Sequence, residues 1–426
     1  MARGRRDDEP RRSPKRANPG RLAAARALLA VDEGVHVDAA LDRWAPSEGP
    51  DRRLAWHLVL TVLRRRSTLD AALAPFLRRP LHRLDPPVRA ALRVGAADKL
   101  LLRTKTHAAV HQAVEVTRGL GAHRATGLVN AVLRRVALVD DLPRAAALDH
   151  PDWLVGRWDD RYGEQATTGW CLRNNTAAPL TLVARDDAAY EALADAVDAK
   201  PVDLGGSILE RVLTLERHRE IEAIPGYADG WFWVQDPASV RVADLAVRGL
   251  PEGARVLDAC AAPGGKALRL ASAGVQVVAA DNSEARLERL RENIGRVGLD
   301  VAVRRVDWTD GDATCGGPFD AVLVDAPCSG LGTTRRHPDI RWRRTVEDLP
   351  QRAALQRTIL ARAATQVAPG GVLVYAVCSP EPEEGAEVVS WFVERHHGFV
   401  LEEELRTAPP AGDEDAFYAA RLVRSS

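Results

Sequence analysis

From about residue 235 the chain alternates apolar runs with helical stretches, and no other feature restricts its possible folds as strongly. The runs are ARVLDAC (254–260), VQVVAAD (275–281), VAVRRVD (301–307), FDAVLVDAP (319–327) and GGVLVYAVCS (370–379). Stretches of helical pattern separate most of them, such as SEARLERLRENIGRVG (283–298) and PQRAALQRTILARAATQVAPG (350–370). Strands that are apolar on both faces need cover on both sides, and intervening helices supply it. The expected architecture is an α/β, Rossmann-like, doubly wound and mostly parallel sheet. Such sheets take ligands at the carboxyl ends of their strands, where the strand order reverses.

Two of those strand ends deliver a cysteine, Cys328 in VDAPCSG (324–330) and Cys378 in LVYAVCSP (373–380). A single free cysteine is more often packing than chemistry, and Cys171 and Cys315 are read that way. A pair on neighbouring strand ends points to shared chemistry. The five cysteines include no C-x-x-C pair, so neither a metal site nor a dithiol motif is expected. Reduced thiols imply a cytoplasmic location. No apolar segment resembles a signal peptide, and none approaches the roughly 18 residues of a membrane span.

A chain of 426 residues exceeds one ordinary core. Residues 1–19 hold clustered arginines with few apolar residues and should form a disordered basic tail. Residues 20–140 read as an all-helical domain. DPPVRAALRVGAADKLLL (85–102) has Asp85 as N-cap and prolines in the first turn. HAAVHQAVEVTRGLG (107–121) places Val110, Ala113, Val114 and Thr117 on one face, and GLVNAVLRRVALV (127–139) aligns Leu128, Val132 and Val136. The arginines Arg64, Arg65, Arg66, Arg134 and Arg135 could hold phosphates, although a solvated face is the commoner meaning of such residues. Residues 141–234 suggest a small α+β module, with strands in PLTLVAR and ILERVLTL around an AAYEALADAVDA helix; its tryptophans are expected to pack rather than stack on bases. Residues 235–426 form the α/β domain.

VLDACAAPGGK (256–266) is a strand, a turn and a helix start. Gly264 and Gly265 allow close backbone approach to a ligand, and the helix offers free N–H groups. It is not a Walker A loop, since Cys260 stands where glycine is required and Ala267 follows the lysine; the dinucleotide fingerprint is also missing. Asp281 ends the next strand, about 20 residues on, where an acid grips ribose hydroxyls. Asp307 ends the third run and could accept from an adenine amino group. A ribose and a base without a pyrophosphate loop suggest an adenosine ligand such as S-adenosylmethionine.

With a cytosine as acceptor, the paired cysteines acquire roles. C5 of cytosine is a poor nucleophile, but a thiolate bonded to C6 makes it electron-rich. The adduct must then lose its C5 proton and expel the thiol, which calls for a base. A group near N3 stabilises the developing charge. Cys328, Cys378 and Asp325 fill these roles, and Lys266 could contribute the positive field that activates a thiol.

DACAAPGGK (258–266), DAPCSG (325–330) and VCS (377–379) resemble the motifs of RNA cytosine-C5 methyltransferases. TRRHPDIRW (334–342) and VQDPAS (234–239) resemble the Sun/Fmu/RsmB branch, which methylates small-subunit (16S) ribosomal RNA. RVGAADKLLL, HAAVHQAVEVTRG and GLVNAVLRR look like the NusB-like RNA-binding domain of that branch. The resemblance implies that Cys378 is the nucleophile and that Cys328 assists product release. It implies cofactor contacts from Cys260, Ala261, Ala262, Pro263, Gly264, Gly265, Lys266, Asp281, Asp307 and Asp325, with Asp325 open to serving cofactor, cytosine or both. The implied cofactor is S-adenosylmethionine, the implied partner small-subunit rRNA, and a monomer is expected. Three departures stand out: Val377 where the family usually has Thr, Glu384-Gly385 for Glu-Asn, and GDEDAFY (412–418) for Gly-Asp-Gly-Phe-Phe. Beside Cys328, Arg335, Arg336 and Arg341 are expected to contact RNA phosphates. The rival readings are the same chemistry on tRNA and a non-catalytic RNA-binding assembly factor.

Overall fold

A computed structural model describes residues 17–215, 220–409 and 412–426. Most of the expected basic tail lies outside them. Its last residues do not: Asn18 caps a helix, Pro19–Asp32, by accepting from the Arg21 N–H, so the helical domain begins before residue 20.

The chain divides into two compact units. The first comprises residues 1–157 together with His337–Arg343, and the second Trp158–Arg336 and Arg344–Ser426. The first unit is helical, with a core that includes Leu41, Leu58, Leu63, Leu92 and Leu133. Helix Thr106–Gly119 buries Ala109, Val110, Ala113, Val116 and Thr117, so Val116 takes the place expected of Val114. Helix Thr126–Arg135 buries Val129, Val132 and Leu133, and Val136 just after it is also buried; of the expected stripe only Leu128 is exposed. Tertiary packing selects among adjacent apolar residues that periodicity alone does not separate. Gly95 permits this packing, because a Cβ there would stand 2.4 Å from a Leu133 methyl.

Among the described residues the second unit holds two sheets. The smaller is antiparallel, in the order β2–β3–β1–β4, from β1 (Thr181–Ala184), β2 (Ala199–Asp203), β3 (Ile208–Leu215) and β4 (Phe232–Val234). Ahead of this sheet in the chain, Trp158 stacks on Trp170 at 3.9 Å between ring centroids.

The larger sheet comprises β5 (Arg255–Asp258), β6 (Gln276–Asp281), β7 (Val301–Arg305), β8 (Phe319–Asp325), β9 (Val367–Val377), β10 (Phe399–Arg406) and β11 (Tyr418–Arg424). Its order is β10–β11–β9–β8–β5–β6–β7. The pairs among β5 to β9 are parallel, and β11 adds antiparallel to β9 and β10. Buried apolar residues cover both faces, with Leu257, Val322 and Leu373 in one cluster and Val256, Leu323 and Val374 in another. The chain runs outward from β5 to β7, then returns to the other side of β5 as β8. The order therefore reverses between β5 and β8, where a ligand crevice opens.

Candidate active site

The loop after β5 is fixed on both sides. Ala259 N–H donates to the Leu323 carbonyl at 2.8 Å, and Ala261 N–H to the Ala280 carbonyl at 2.8 Å. Gly264 has φ +115°, a left-handed conformation that favours glycine, and a Cβ would lie 2.5 Å from a Leu290 methyl. Helix Gly265–Ala271 begins directly afterwards.

One cavity of about 380 Å³ is lined by Cys260, Ala262, Asp281, Asp307, Asp325, Cys328 and Cys378, residues that the sequence scatters over more than a hundred positions. The size suits a small organic ligand. Ala261, Pro263, Gly264, Gly265 and Lys266 shape the loop without lining this cavity. Asp281 is buried; its Oδ1 accepts from the Ser283 N–H and forms an ion pair with Arg286 at 2.8 Å, which leaves Oδ2 as an acceptor. Asp307 is held below the usual carboxylate range, chiefly by the Thr309 hydroxyl and then by the Thr309 N–H. Trp308, which sequence reasoning passed over, forms part of the wall and donates its indole N–H to the Ala259 carbonyl at 2.7 Å. Its position beside Asp307 was the only available signal.

Lys266 is buried and donates to Asp325 Oδ2 at 2.6 Å. Burial works to lower its pKa, but the charge and hydrogen bond of Asp325, helped by Asp258, raise it overall. The lysine therefore stays charged. Asp258, at the end of β5, is fully buried and accepts no well-formed hydrogen bond. Burial first, then repulsion from Asp325, push its carboxyl up to about 7 against the pull of Lys266.

The two sulfurs lie 3.3 Å apart. The Cys328 thiol is pushed well above its ordinary value, first by its hydrogen bond to Cys378, then by burial and by the charges of Cys378, Glu384 and Asp325. Cys328 thus holds its proton more tightly than a free thiol, and the two sulfurs share a hydrogen bond in which either can be the donor. Burial likewise raises Cys260, and raises Cys315 to about 11. Cys171 is wholly buried.

The arginines expected to grip phosphates are engaged within the fold. Arg341 is 0% exposed and donates to the Asp149 carbonyl. Arg336 bridges Asp236 at 2.6 Å and Asp415 at 3.0 Å. Arg335 binds Asp413 and the Ala177 carbonyl. Their bonding capacity goes to nearby acids and carbonyls that the local sequence does not reveal. Arg65 similarly pairs with Asp149, and Arg66 with Asp32.

Among the described residues no group of His, Cys, Asp and Glu could hold a metal ion, and no helix is long and apolar enough to cross a membrane.

Comparison with known proteins gives concordant matches. Residues 247–423 match the family model of 16S rRNA methyltransferase RsmB/F, and residues 18–138 match the NusB family. Ribosomal RNA small subunit methyltransferase B of Pseudomonas putida is 36% identical, covering 96% of this chain and 98% of that protein. Its counterpart in Xanthomonas campestris is 38% identical, covering 88% of this chain and 87% of that protein. The crystal structure of PH0851 shares the fold, with a TM-score of 0.77 at 21% identity over 96% of this chain and 100% of that one.

Proposed function

The chain belongs to the RsmB/F family of 16S rRNA methyltransferases, and from that premise we propose that it methylates C5 of a cytosine in small-subunit rRNA through a covalent bond between Cys378 and C6. The observation that carries this reading is the apposition of Cys328 and Cys378 in a cavity that also contains Asp325.

S-adenosylmethionine is the family's cofactor, and when bound it supplies the methyl group as an electrophile. The residues fit it: Asp281 Oδ2 is an acceptor for ribose, Asp307 is a strongly ionised acceptor for an adenine amino group, and Trp308 offers an apolar wall. The backbone from Cys260 to Lys266 would hold the rest.

The chain's own residues then act on the pyrimidine. The Cys378 sulfur bonds to C6, and its electron pair makes C5 nucleophilic. Lys266 and Asp325 form a fixed polar pair beside the reacting ring and stabilise charge that develops there. Once C5 carries the methyl group, a base takes the C5 proton and the S–C6 bond breaks, returning its electrons to sulfur and restoring the ring double bond. Cys328 is suited to this later stage. Bond formation by Cys378 removes its hydrogen bond and its charge interaction with Cys328, the first and third causes of the raised Cys328 pKa. The assisting thiol ionises more readily after the adduct forms than before. A cytoplasmic setting accords with an rRNA substrate.

The test is methylation of transcribed small-subunit rRNA fragments with labelled cofactor, followed by mapping of the label. Label at C5 of one cytosine is expected. Label confined to tRNA, or to another ring position, would overturn the assignment.

A further inference from the structure

We propose that Glu384 is a positioning residue of the methyl-transfer site, a buried carboxylate that ties the two cysteine-bearing strand ends together and sets a negative charge against the Cys328-Ser329 dipeptide; this rests on the function proposed above. Glu384 is 0% exposed. Its Oε1 accepts from the Ser329 N–H at 2.7 Å and from Gln356 Nε2 at 3.1 Å. Its Oε2 accepts from the Ser329 hydroxyl at 2.5 Å and from the Ser379 hydroxyl at 2.6 Å. Ser329 directly follows Cys328, and Ser379 directly follows Cys378. One side chain therefore grips both Cys-Ser dipeptides, and the two serine hydroxyls also meet at 3.1 Å.

The clamp itself is held in place. Tyr375, on β9, donates its hydroxyl to the Glu384 carbonyl at 2.5 Å. On the cysteine side, Arg352 donates to the Cys328 carbonyl and Gly332 N–H to the Cys378 carbonyl. The thiols are thus set by bonds that fix the peptide group following each cysteine.

The charge needs its own explanation. No Lys or Arg among the described residues pairs with Glu384. A buried anion without a cation is costly, and a neutral amide could join the same two serines. The negative charge is intelligible as an electrostatic neighbour of Cys328: a like charge disfavours the thiolate. It disfavours the thiolate at Cys328 and leaves Cys378 as the sulfur that bonds to carbon.

Glutamine at this position can keep the contacts while removing the charge, because serine hydroxyls donate or accept by rotation. Alanine removes both. We expect Glu384→Ala to bind S-adenosylmethionine within about 3-fold of wild type, since Glu384 does not line the cofactor cavity, while the single-turnover rate falls by about 100-fold, the scale of a small misplacement of reacting groups. In Glu384→Gln we expect methyl transfer within about 10-fold, with the pH profile of Cys328 alkylation, followed by peptide mass spectrometry, moved about one unit toward acid. Ser379→Ala should give an intermediate loss of rate, and it carries the positioning test if the alanine variant at 384 does not fold. Wild-type rates in folded Glu384→Ala or in Ser379→Ala would overturn the positioning role. An unmoved alkylation profile in Glu384→Gln would overturn the charge role. The alkylation readout needs no RNA, so it separates failure of this inference from failure of the proposed function, which would appear as no methylation of rRNA by the wild type.

Discussion

The Lys266 ammonium and the Asp325 carboxylate, 59 residues apart in sequence, meet at 2.6 Å across the point where the sheet reverses direction. Replacing the lysine leaves Asp325 and the buried Asp258 without their shared cation. For Lys266→Met we expect a loss of about 2–3 kcal/mol of stability, below the full cost of breaking a buried pair because the Asp325 side chain is 26% exposed. Methyl transfer should fall by about 100-fold or more. Thermal denaturation and single-turnover assays would measure the two effects.

The apposed thiols predict opposite phenotypes. Cys378→Ser should abolish detectable methyl transfer and form no covalent complex with RNA. Cys328→Ala should still form the bond to C6 and fail to release it, accumulating a slow-migrating protein–RNA species on denaturing gels. Undiminished transfer by the first variant, or absence of that band with the second, would contradict the assigned roles.

Asp258 makes stability depend on pH in a defined direction. Burial pushes its carboxyl up to about 7 in the folded chain, from 3.8 for a free carboxyl. Between those values the unfolded chain has lost the proton while the folded chain keeps it, so this group's contribution makes stability fall as pH rises through the window, levelling off above 7. Asp258→Asn removes that dependence. The variant should be more stable than wild type at pH 8, by on the order of a few kcal/mol, with the gain shrinking toward pH 4. A pH series of denaturant titrations would show it.

Arg336 tests the reassignment of the basic segment. Its two aspartate partners make it a brace, and Arg336→Ala should lower the melting temperature by several degrees. The slope of RNA affinity against salt concentration should remain as in wild type, where loss of a phosphate contact would reduce it by about one unit.

Much of the site was legible because chemistry and topology coincide at strand ends. Apolar runs locate the ends, and the residues at or just beyond them, Asp281, Asp325, Cys328 and Cys378, line the cavity. What was hidden depends on long-range packing. Sequence marks Glu384 only by its place in the family pattern; its grip on Ser329, 55 residues away, appears only in the fold. The arginines of RRHPDIRWRR read as a nucleic-acid patch until Asp236, Asp413 and Asp415 are placed beside them. β2 escaped notice because AKPVD contains a proline and is largely exposed, so neither propensity nor alternation marks it. Two departures from the family pattern, noted separately in sequence, prove to be neighbours: Gly385 lies against Tyr418, where a Cβ would stand 3.0 Å from the ring. Val377, the third, is fully buried and pairs with the same Tyr418 across the β9–β11 ladder.

The reversal of strand order also divides labour. The acids proposed for the adenosine follow β6 and β7, on one side of β5, whereas both sulfurs follow β8 and β9, on the other. On the proposed assignment, donor recognition and bond-making would occupy separate halves of a single crevice, bridged by the salt link between Lys266 and Asp325. Mutational drift in either half can retune one substrate without rebuilding the other, provided that link survives.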